Sequence, residues 1–448
     1  MTFKSYAKRL ISAFFALLFV ISCFTVQTSA VTAPQGLHSK SCLIYNLETE
    51  TILYGVAIDE EVYPTSTVKI IAGMLALEYY ENQLDKILTV PAEALAGAMG
   101  TSISLRAGEE ISVRDLLYAV LVAGANDAVC VLAYHIAGNV TAFVNMMNEK
   151  VRELGCKNTF YTNCTGVHDV NMVTTAADTL KIALYAYTNS NFMAMSSETS
   201  YTIAPTNKTT KERKIYNRNF IVSTQYYTLY YNSLAKGMNA GYTSDGGYCL
   251  VTSLRKKGCT YIVVCMGART DPETQRIHTY TDCETLVNWA YDNYDFVSLV
   301  DQTTMICELP VTLSSDVDYV TLLPAEPIEM FLPKDIDVST AVKLNYILLA
   351  DSIEAPIKEG EIAGVLTAHY NDKPVATVNL VTKDNVSRSE FLYFLTTVRG
   401  IVTHPLFYII VAIAILLALF FVFFKAVYLE KARRKAMRRK QPNLSRKH

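Results

Sequence analysis

The feature that most constrains this 448-residue chain is an uncharged apolar run near its C-terminus. Residues 406–424 are 19 consecutive positions without a charged side chain, long enough for one helix to cross a bilayer. Ten basic residues and a single acid follow from residue 425 onward. Because basic residues favour the cytoplasmic side, this arrangement predicts a membrane span at residues 405–424 and a basic cytoplasmic tail at residues 425–448.

The N-terminus carries a second targeting signal. Three basic residues precede an apolar stretch at residues 10–21, and small residues follow up to Ala30. This order is typical of a secretory signal peptide, which we expect at residues 1–30. A bacterial lipoprotein cleavage site before Cys23 is the alternative. Either way, the body of the chain is expected outside the cytoplasm, held by one C-terminal helix.

The body between these two signals is acidic and large. It holds 27 Lys and Arg residues against 41 Asp and Glu residues, a net charge of −14. This charge predicts a soluble body that does not bind nucleic acid or anionic lipid through electrostatic attraction. About 370 residues exceed one usual hydrophobic core, so two domains are expected.

The cysteines give no sign of a complete disulfide framework or of a metal centre. The chain has ten cysteines, and removal of the signal peptide would leave an odd number, nine. There is no C-x-x-C pair and no nearby histidine with zinc-finger spacing, so we predict neither a metal nor a cofactor. Cys156 and Cys164 are close enough in sequence to pair across a loop, and the sequence leaves that pairing open.

The pattern that carries chemistry is S-x-x-K, formed by Ser66 and Lys69 at the start of a helix predicted over residues 66–80. Residues three apart lie on the same face of one helical turn. A lysine whose pKa is lowered by burial can take the proton of a serine and make it a nucleophile. The same pattern begins at Ser5 and at Ser253, but only Ser66 opens a predicted core helix.

Further motifs follow in order along the chain. Residues 124–126 are Gly-Ala-Asn, residues 174–178 are Thr-Thr-Ala-Ala-Asp, and residues 239–241 are Asn-Ala-Gly. With the S-x-x-K pattern, this order resembles the low-molecular-mass penicillin-binding proteins, the serine D-alanyl-D-alanine carboxypeptidases, whose later motifs are S-x-N and K-T-G. The resemblance covers roughly residues 33–400.

The resemblance implies an α+β fold of the β-lactamase/transpeptidase type, in which an antiparallel sheet carries a helical cluster. A small all-β domain and the C-terminal transmembrane helix follow. We therefore expect a catalytic domain at residues 31–296 and a β domain at residues 297–400. Local patterns agree, with hairpins predicted within residues 38–56 and 246–267. Further helices are predicted over residues 112–122, 127–137, 140–154 and 282–294.

The resemblance also implies the catalytic roles. Ser66 would attack the carbonyl between the last two D-alanines of a peptidoglycan stem peptide, with Lys69 as base. Asn126 would orient Lys69 and bind the substrate amide. Taken by itself this residue fits a helix cap better, and its register with the other motifs favours the site. The backbone N–H groups of Ser66 and Tyr242 would hold the oxyanion. β-Lactams would act as inhibitors of the same serine.

The third motif would form the strand along which the substrate binds. Asn239 and Gly241 are its expected substrate-binding residues, and Gly241 would let a backbone come close to the strand edge. This chain departs from the family pattern, because Gly124 replaces the S-x-N serine and Asn239-Ala240 replace the lysine and threonine of K-T-G. Lys236 is not expected to substitute, because side chains alternate along a strand.

Two functions therefore remain open from the sequence. One is an active but divergent D,D-carboxypeptidase, in which Arg269 or Arg276 supplies the missing positive charge. The other is a non-catalytic membrane module that binds peptidoglycan stems or partner proteins. A β-lactamase is a third alternative, disfavoured by the β domain and the C-terminal anchor.

Overall fold

The computed structural model describes residues 31–370 and 372–439. The predicted signal peptide and the end of the basic tail lie outside the described residues. The described chain divides into two compact units. The first runs to Asp295 and includes Phe331–Asp335, and the second takes Phe296–Met330 and the chain from Ile336 onward.

A five-stranded antiparallel sheet forms the centre of the first unit, in the order β2-β1-β9-β8-β7. Two short ribbons, β3-β4 and β5-β6, lie outside it. The strands are β1 (Ser41–Asn46), β2 (Thr51–Val56), β3 (Ile87–Thr89), β4 (Glu110–Ser112), β5 (Ser200–Ile203), β6 (Arg213–Tyr216), β7 (Ala235–Thr243), β8 (Gly247–Lys256) and β9 (Cys259–Ala268). The hairpins predicted from the sequence are confirmed.

Eight α-helices belong to the described part of the same unit. They are α1 (Lys69–Tyr79), α2 (Ala92–Leu95), α3 (Val113–Leu121), α4 (Asn126–Ala137), α5 (Val140–Glu153), α6 (Ala176–Tyr187), α7 (Ser190–Ser197) and α8 (His278–Asn293). The predicted boundaries hold to within a few residues because the local signals act as expected. The Ser112 hydroxyl accepts a hydrogen bond from the Asp115 N–H, and Gly138 ends α4 in the left-handed conformation with φ 79°.

Both faces of the sheet are buried, because helices cover each of them. Leu43 and Ile262 pack into one core with α1 to α7, whereas their chain neighbours Ile44 and Val263 pack into a second core with α8. Successive residues of a strand point to opposite faces, so each strand contributes to both cores. This explains why β9 is a nearly continuous apolar run rather than an alternating one. Burial of one such side chain contributes roughly 1.5–3 kcal/mol.

The second unit is built mainly from strands. A six-stranded sheet has the order β14-β16-β17-β12-β11-β15. Strands β10 and β13 form a separate two-stranded sheet, and each contains residues assigned to both units. The strands are β10 (Tyr294–Val300), β11 (Cys307–Thr312), β12 (Tyr319–Pro324), β13 (Ile328–Pro333), β14 (Val342–Leu348), β15 (Ile353–Glu354), β16 (Ile362–Tyr370) and β17 (Lys373–Thr382). The helices are α9 (Val338–Ala341), α10 (Glu390–Thr403) and α11 (Pro405–Arg439).

Helix α10 is not among the helices predicted from the sequence, which assigned residues 297–400 to a β domain. Ser389 caps the helix by accepting a hydrogen bond from the Leu392 N–H at 3.4 Å, and Glu390 follows in the first turn. An acid near a helix N-terminus interacts favourably with the helix dipole. The N-cap and the apolar side chains of this segment therefore favour a helix over a strand here.

Helix α11 carries the predicted membrane span. It is long and apolar enough to cross a bilayer over Pro405–Ala436. The helix continues to Arg439, well past the predicted end of the span at residue 424. Lys, Arg, Ala and Leu are strong helix formers, so the first half of the basic tail extends the same helix.

Candidate active site

Ser66 and Lys69 lie together at the junction between a 3₁₀ turn, Thr65–Val68, and α1. Side chains three residues apart eclipse one another in a 3₁₀ turn, which aligns the hydroxyl with the amine. The Lys69 Nζ donates to the Ser66 Oγ at 3.2 Å and to the Thr165 carbonyl at 2.5 Å. The two residues of the S-x-x-K motif are therefore in direct contact.

Lys69 is fully buried, and its burial changes its chemistry. Desolvation lowers the pKa of Lys69 from 10.5 to about 8, against a smaller opposing effect of the neighbouring thiols of Cys164 and Cys130. About a tenth of the amine is therefore neutral at pH 7, far more than for a lysine with the ordinary pKa. A neutral amine in contact with the Ser66 hydroxyl can accept its proton.

The backbone at Ser66 packs closely against two glycines. A Cβ on Gly241 would lie 2.5 Å from the Ser66 N and 2.6 Å from its Cβ, and a Cβ on Gly166 would overlap the Thr65 carbonyl. Both positions therefore require glycine for steric reasons. Gly241 allows the serine itself to lie against β7. This packing role is separate from the substrate-binding role expected from the sequence.

Thr65, immediately before the serine, is in an unusual backbone conformation. Its φ is +50°, which is rare for a β-branched residue, and its buried Oγ1 has no hydrogen-bond partner in the described part of the chain. Strained residues of this kind cluster at active sites. No sequence pattern predicts this conformation.

Asn126 lies at the first turn of α4 but does not cap it, since Ala125 occupies the N-cap position. Its Nδ2 donates to the Met99 carbonyl at 2.5 Å, and its buried Oδ1 has no partner among the described residues. The structure records no hydrogen bond from Asn126 to Lys69; the Thr165 carbonyl holds the lysine instead. The Asn126 Oδ1 is left as an acceptor for another donor.

The third motif lies on β7, the outermost strand of the sheet. Asn239 is buried, and its Oδ1 has no hydrogen-bond partner within the described residues. Tyr242 is 54% exposed and its ring lies 4.3 Å from that of Tyr248. Whether these residues bind substrate remains a prediction.

Lys236 is exposed, so it does not occupy the place of the missing motif lysine. The sequence prediction rested on strict alternation of side chains along the strand, but the structure shows a different cause. A β-bulge interrupts the register between Ala235 and Met238, and both Gly237 and Met238 have positive φ. The Ser196 hydroxyl holds this bulge by accepting a hydrogen bond from the Met238 N–H at 3.1 Å.

The two arginines proposed as substitutes for the lysine differ in their contacts. Arg269 donates from its guanidinium to the carbonyls of Ser244, at 2.5 Å, and Asp245, at 3.3 Å, in the β7–β8 turn. Arg276 is exposed, and its guanidinium makes no hydrogen bond or ion pair recorded in the described part of the chain. Arg276 is therefore the better candidate for binding an acidic group.

A groove of about 290 Å³ opens beside the second motif. Ala123 and Thr101 line it at one side, and the Thr101 carbonyl accepts a hydrogen bond from the Asn126 N–H. Lys214 and Arg218 line it too, each near a tyrosine ring rather than a carboxylate. The groove is therefore basic and partly aromatic, which suits an acidic peptide.

Sequence reasoning missed the loop that holds Lys69. The Asn163 Oδ1 accepts hydrogen bonds from the N–H groups of Thr165 and Gly166, and this turn aims the Thr165 carbonyl at the lysine. Residues 163–166 are Asn-Cys-Thr-Gly, and an Asn with a Gly three residues later is a turn signal that the sequence does contain. The lysine that this turn contacts, however, lies 96 residues earlier in the chain.

The cysteine pairing that the sequence left open is not formed. Every cysteine of the described chain is a free thiol, and all but Cys307 are buried. Cys156 donates to the Asp178 carbonyl, whereas Cys164 lies beside Cys130 under Lys69.

Comparison with known proteins identifies the family of this chain. The D-alanyl-D-alanine carboxypeptidase family model matches residues 27–270, which is more than half of the chain. The chain belongs to this family. The penicillin-binding protein 5 C-terminal domain matches residues 309–388. The family and fold class expected from the sequence are therefore confirmed.

Individual relatives of this carboxypeptidase family member agree with that assignment. D-alanyl-D-alanine carboxypeptidase DacF of Bacillus subtilis is 27% identical over 388 residues, covering 86% of this chain and 95% of that protein. DacC of Escherichia coli is 25% identical over 387 residues, covering 84% and 91%. The crystal structure of penicillin-binding protein 5 from Haemophilus influenzae is 26% identical, with a TM-score of 0.56, and covers 80% of this chain and 100% of that one.

Proposed function

We propose that this protein removes the terminal D-alanine from peptidoglycan stem peptides in cell-wall maturation, through an acyl-enzyme on Ser66. Membership of the D-alanyl-D-alanine carboxypeptidase family supports the reaction class. The single observation that carries the proposal is the contact between the buried Lys69 amine and the Ser66 hydroxyl, with the lysine pKa lowered to about 8.

The reaction runs in two halves. Neutral Lys69 takes the proton from Ser66 as its Oγ attacks the carbonyl carbon of the penultimate D-alanine. The oxyanion is held by the N–H groups of Ser66 and Tyr242, and the proton passes to the leaving nitrogen of the terminal D-alanine. Water then attacks the ester and frees the serine. The Asn126 Oδ1 accepts a hydrogen bond from the substrate amide.

Release of D-alanine tests the proposal directly. The full-length protein in detergent is incubated with a stem pentapeptide, and free D-alanine is measured, with Ser66→Ala as the inactive control. A fluorescent penicillin should label wild type covalently and leave the Ser66→Ala variant unlabelled. Labelling that survives this substitution would remove Ser66 from the mechanism.

A non-catalytic binding module is the second candidate. It is favoured by Gly124, which offers no hydroxyl, and by Asn239-Ala240, which offer no cation or hydroxyl on β7. Stem-peptide binding without D-alanine release, together with no penicillin labelling of wild type, would support this candidate over the enzyme.

The membrane arrangement is part of the same proposal. Helix α11 anchors the protein, residues 31–404 lie outside the cell, and the basic C-terminus is cytoplasmic. The catalytic domain is residues 31–296, and the β domain at residues 297–400 is a spacer between the active site and the membrane. No nucleic acid is bound.

A further inference from the structure

Two histidines and an aspartate converge at one end of the central sheet, outside the proposed active site. His38 precedes β1, while His278 and Asp282 lie one turn apart at the start of α8. Their ligand atoms all lie within 4.8 Å of one another. The two imidazole rings are stacked, with centroids 4.0 Å apart. The cluster joins parts of the chain separated by about 240 residues.

Asp282 is the unusual member of this cluster. It is fully buried, and its Oδ2 accepts hydrogen bonds from the N–H of His38 at 3.0 Å and from the N–H and hydroxyl of Ser39, each at 2.6 Å. Its Oδ1 is buried with no hydrogen-bond partner among the described residues. A buried carboxylate oxygen without a partner is costly, and such oxygens are usually matched by a cation.

The neighbouring side chains do not fully supply that cation. The His38 Nδ1 lies 3.7 Å from the Asp282 Oδ1, beyond hydrogen-bond distance, and the His38 side chain is 53% exposed. Asp271 brings a second carboxylate to the cluster, 3.7 Å from the His278 Nε2. The cluster thus combines two imidazoles with excess negative charge.

We propose that His38, His278 and Asp282 bind one zinc ion, with water completing the coordination. Two imidazole nitrogens and a carboxylate oxygen are a usual ligand set for this borderline cation. Nitrogens bound to tetrahedral zinc lie about 3.4 Å apart, so donor atoms now up to 4.8 Å apart must approach one another by up to about 1.4 Å. His38 can make this movement because half of its side chain faces solvent. Asp271 places a further negative charge beside His278.

The site would fix a segment that reaches the active site. The His278 N–H donates to the Arg269 carbonyl at 3.2 Å, and the Arg269 guanidinium holds the β7–β8 turn through Ser244 and Asp245. That turn packs against the S-x-x-K motif, since a Cβ on Gly246 would lie 2.7 Å from the Thr65 Cγ2. Zinc would therefore tie the segment before β1 to the start of α8 and support this turn.

The test is metal binding by the full-length protein in detergent, which does not depend on the proposed catalytic activity. Metal is removed with a chelator, and binding of Zn²⁺ and Co²⁺ is measured by calorimetry and by visible absorption. We expect one ion per chain, with cobalt bands of a nitrogen and oxygen site and no sulfur charge-transfer band. The buried thiols of Cys265 and Cys283 are not among the side chains whose ligand atoms converge here, so they are not expected as ligands.

Three variants and a control decide the assignment. His38→Ala, His278→Ala and Asp282→Asn should each weaken zinc binding by about 100-fold or more. His369→Ala, in the second unit, should bind as wild type does. If the buried Asp282→Asn variant fails to fold, the exposed His38 still carries the test. Wild type that binds no zinc at 1:1, or a His38→Ala variant with unchanged affinity, would show that the cluster is only an ion pair.

Discussion

A lysine amine acts as a base near neutral pH only where its surroundings disfavour the ammonium form. At Lys69, complete burial has this effect, while the nearby thiols of Cys164 and Cys130 act in the opposite direction. The balance leaves a pKa of about 8, so the amine can alternate between base and acid during one turnover. The Thr165 carbonyl fixes where the amine points, since it accepts one of its hydrogens.

The first prediction concerns pH. Because only the neutral amine can take the serine proton, acylation by penicillin should rise with pH, with a midpoint near 8, and level off above it. Below the midpoint the rate should fall about tenfold per pH unit, as expected for one required deprotonated group. Stopped-time labelling from pH 6 to 10 measures this. Lys69→Arg should be inactive throughout, and an acylation rate that does not change between pH 6 and 9 would show that Lys69 is not the base.

The second prediction concerns the altered third motif. Asn239→Lys with Ala240→Thr should raise β-lactam acylation about tenfold, because a charge-assisted hydrogen bond contributes roughly 1.5–3 kcal/mol. The matched control is Asn239→Gln with Ala240→Thr, which lengthens the side chain without a charge. If the lysine variant gains nothing, another cation already binds the carboxylate, and Arg276→Ala should then lower acylation.

Restoring the second motif is expected to be less simple. A Cβ on Gly124 would meet no atom within 4 Å, so there is space for a serine side chain. The φ of Gly124 is +66°, however, a conformation that costs a non-glycine residue roughly 1–2 kcal/mol. Gly124→Ser should therefore lower thermal stability even where it helps proton transfer, and a Gly124→Ala variant separates the two effects.

At the scale of elements, local signals predicted most of the first unit. Ser112 and Gly138 mark helix ends in the sequence and in the structure, and the turn at Lys257-Gly258 joins β8 to β9 as expected. The bulge in β7 could not be predicted. It depends on a hydrogen bond from the Met238 N–H to Ser196, 42 residues earlier, and no local pattern encodes that contact.

The same limit applies to the site. The S-x-x-K spacing predicted the contact between Ser66 and Lys69, because both lie within one turn. The partners of Lys69 and of Asp282 come from loops 96 and about 240 residues away, which periodicity cannot bring together. Asn126 could not be assigned either, because a helix cap and a site residue have the same local sequence.

The third prediction tests the packing of β7 on the serine. Gly241→Ala would place a Cβ 2.5 Å from the Ser66 N, so the serine must move. A displacement of about 1 Å at a reacting group can reduce a rate about 100-fold, and we expect a loss of that size in penicillin acylation. Gly97→Ala is the matched control, since a Cβ there meets nothing within 4 Å. Unchanged acylation in Gly241→Ala would show that this close contact is not needed.

At the scale of the whole molecule, the chain combines an acidic body with a basic end. The fourth prediction follows from this arrangement. Protease added to intact protoplasts should digest residues 31–404 and leave a protected fragment that begins near Leu406. An antibody against the C-terminal tail detects the fragment, and permeabilised protoplasts are the control. A body that survives in intact cells and disappears only on permeabilisation would place it inside.

The free thiols allow local opening to be measured at native residues, without introducing new cysteines. Eight of the nine described cysteines are buried, and they lie in separate regions. Cys130 and Cys164 lie beside Lys69. Cys42, Cys265 and Cys283 lie in the core beneath α8. A buried thiol reacts with an alkylating reagent only while its region is open, so its labelling rate reports the free energy of that opening. Mass spectrometry of each cysteine would therefore compare the mobility of the active-site floor with that of the α8 core in one unmodified sample.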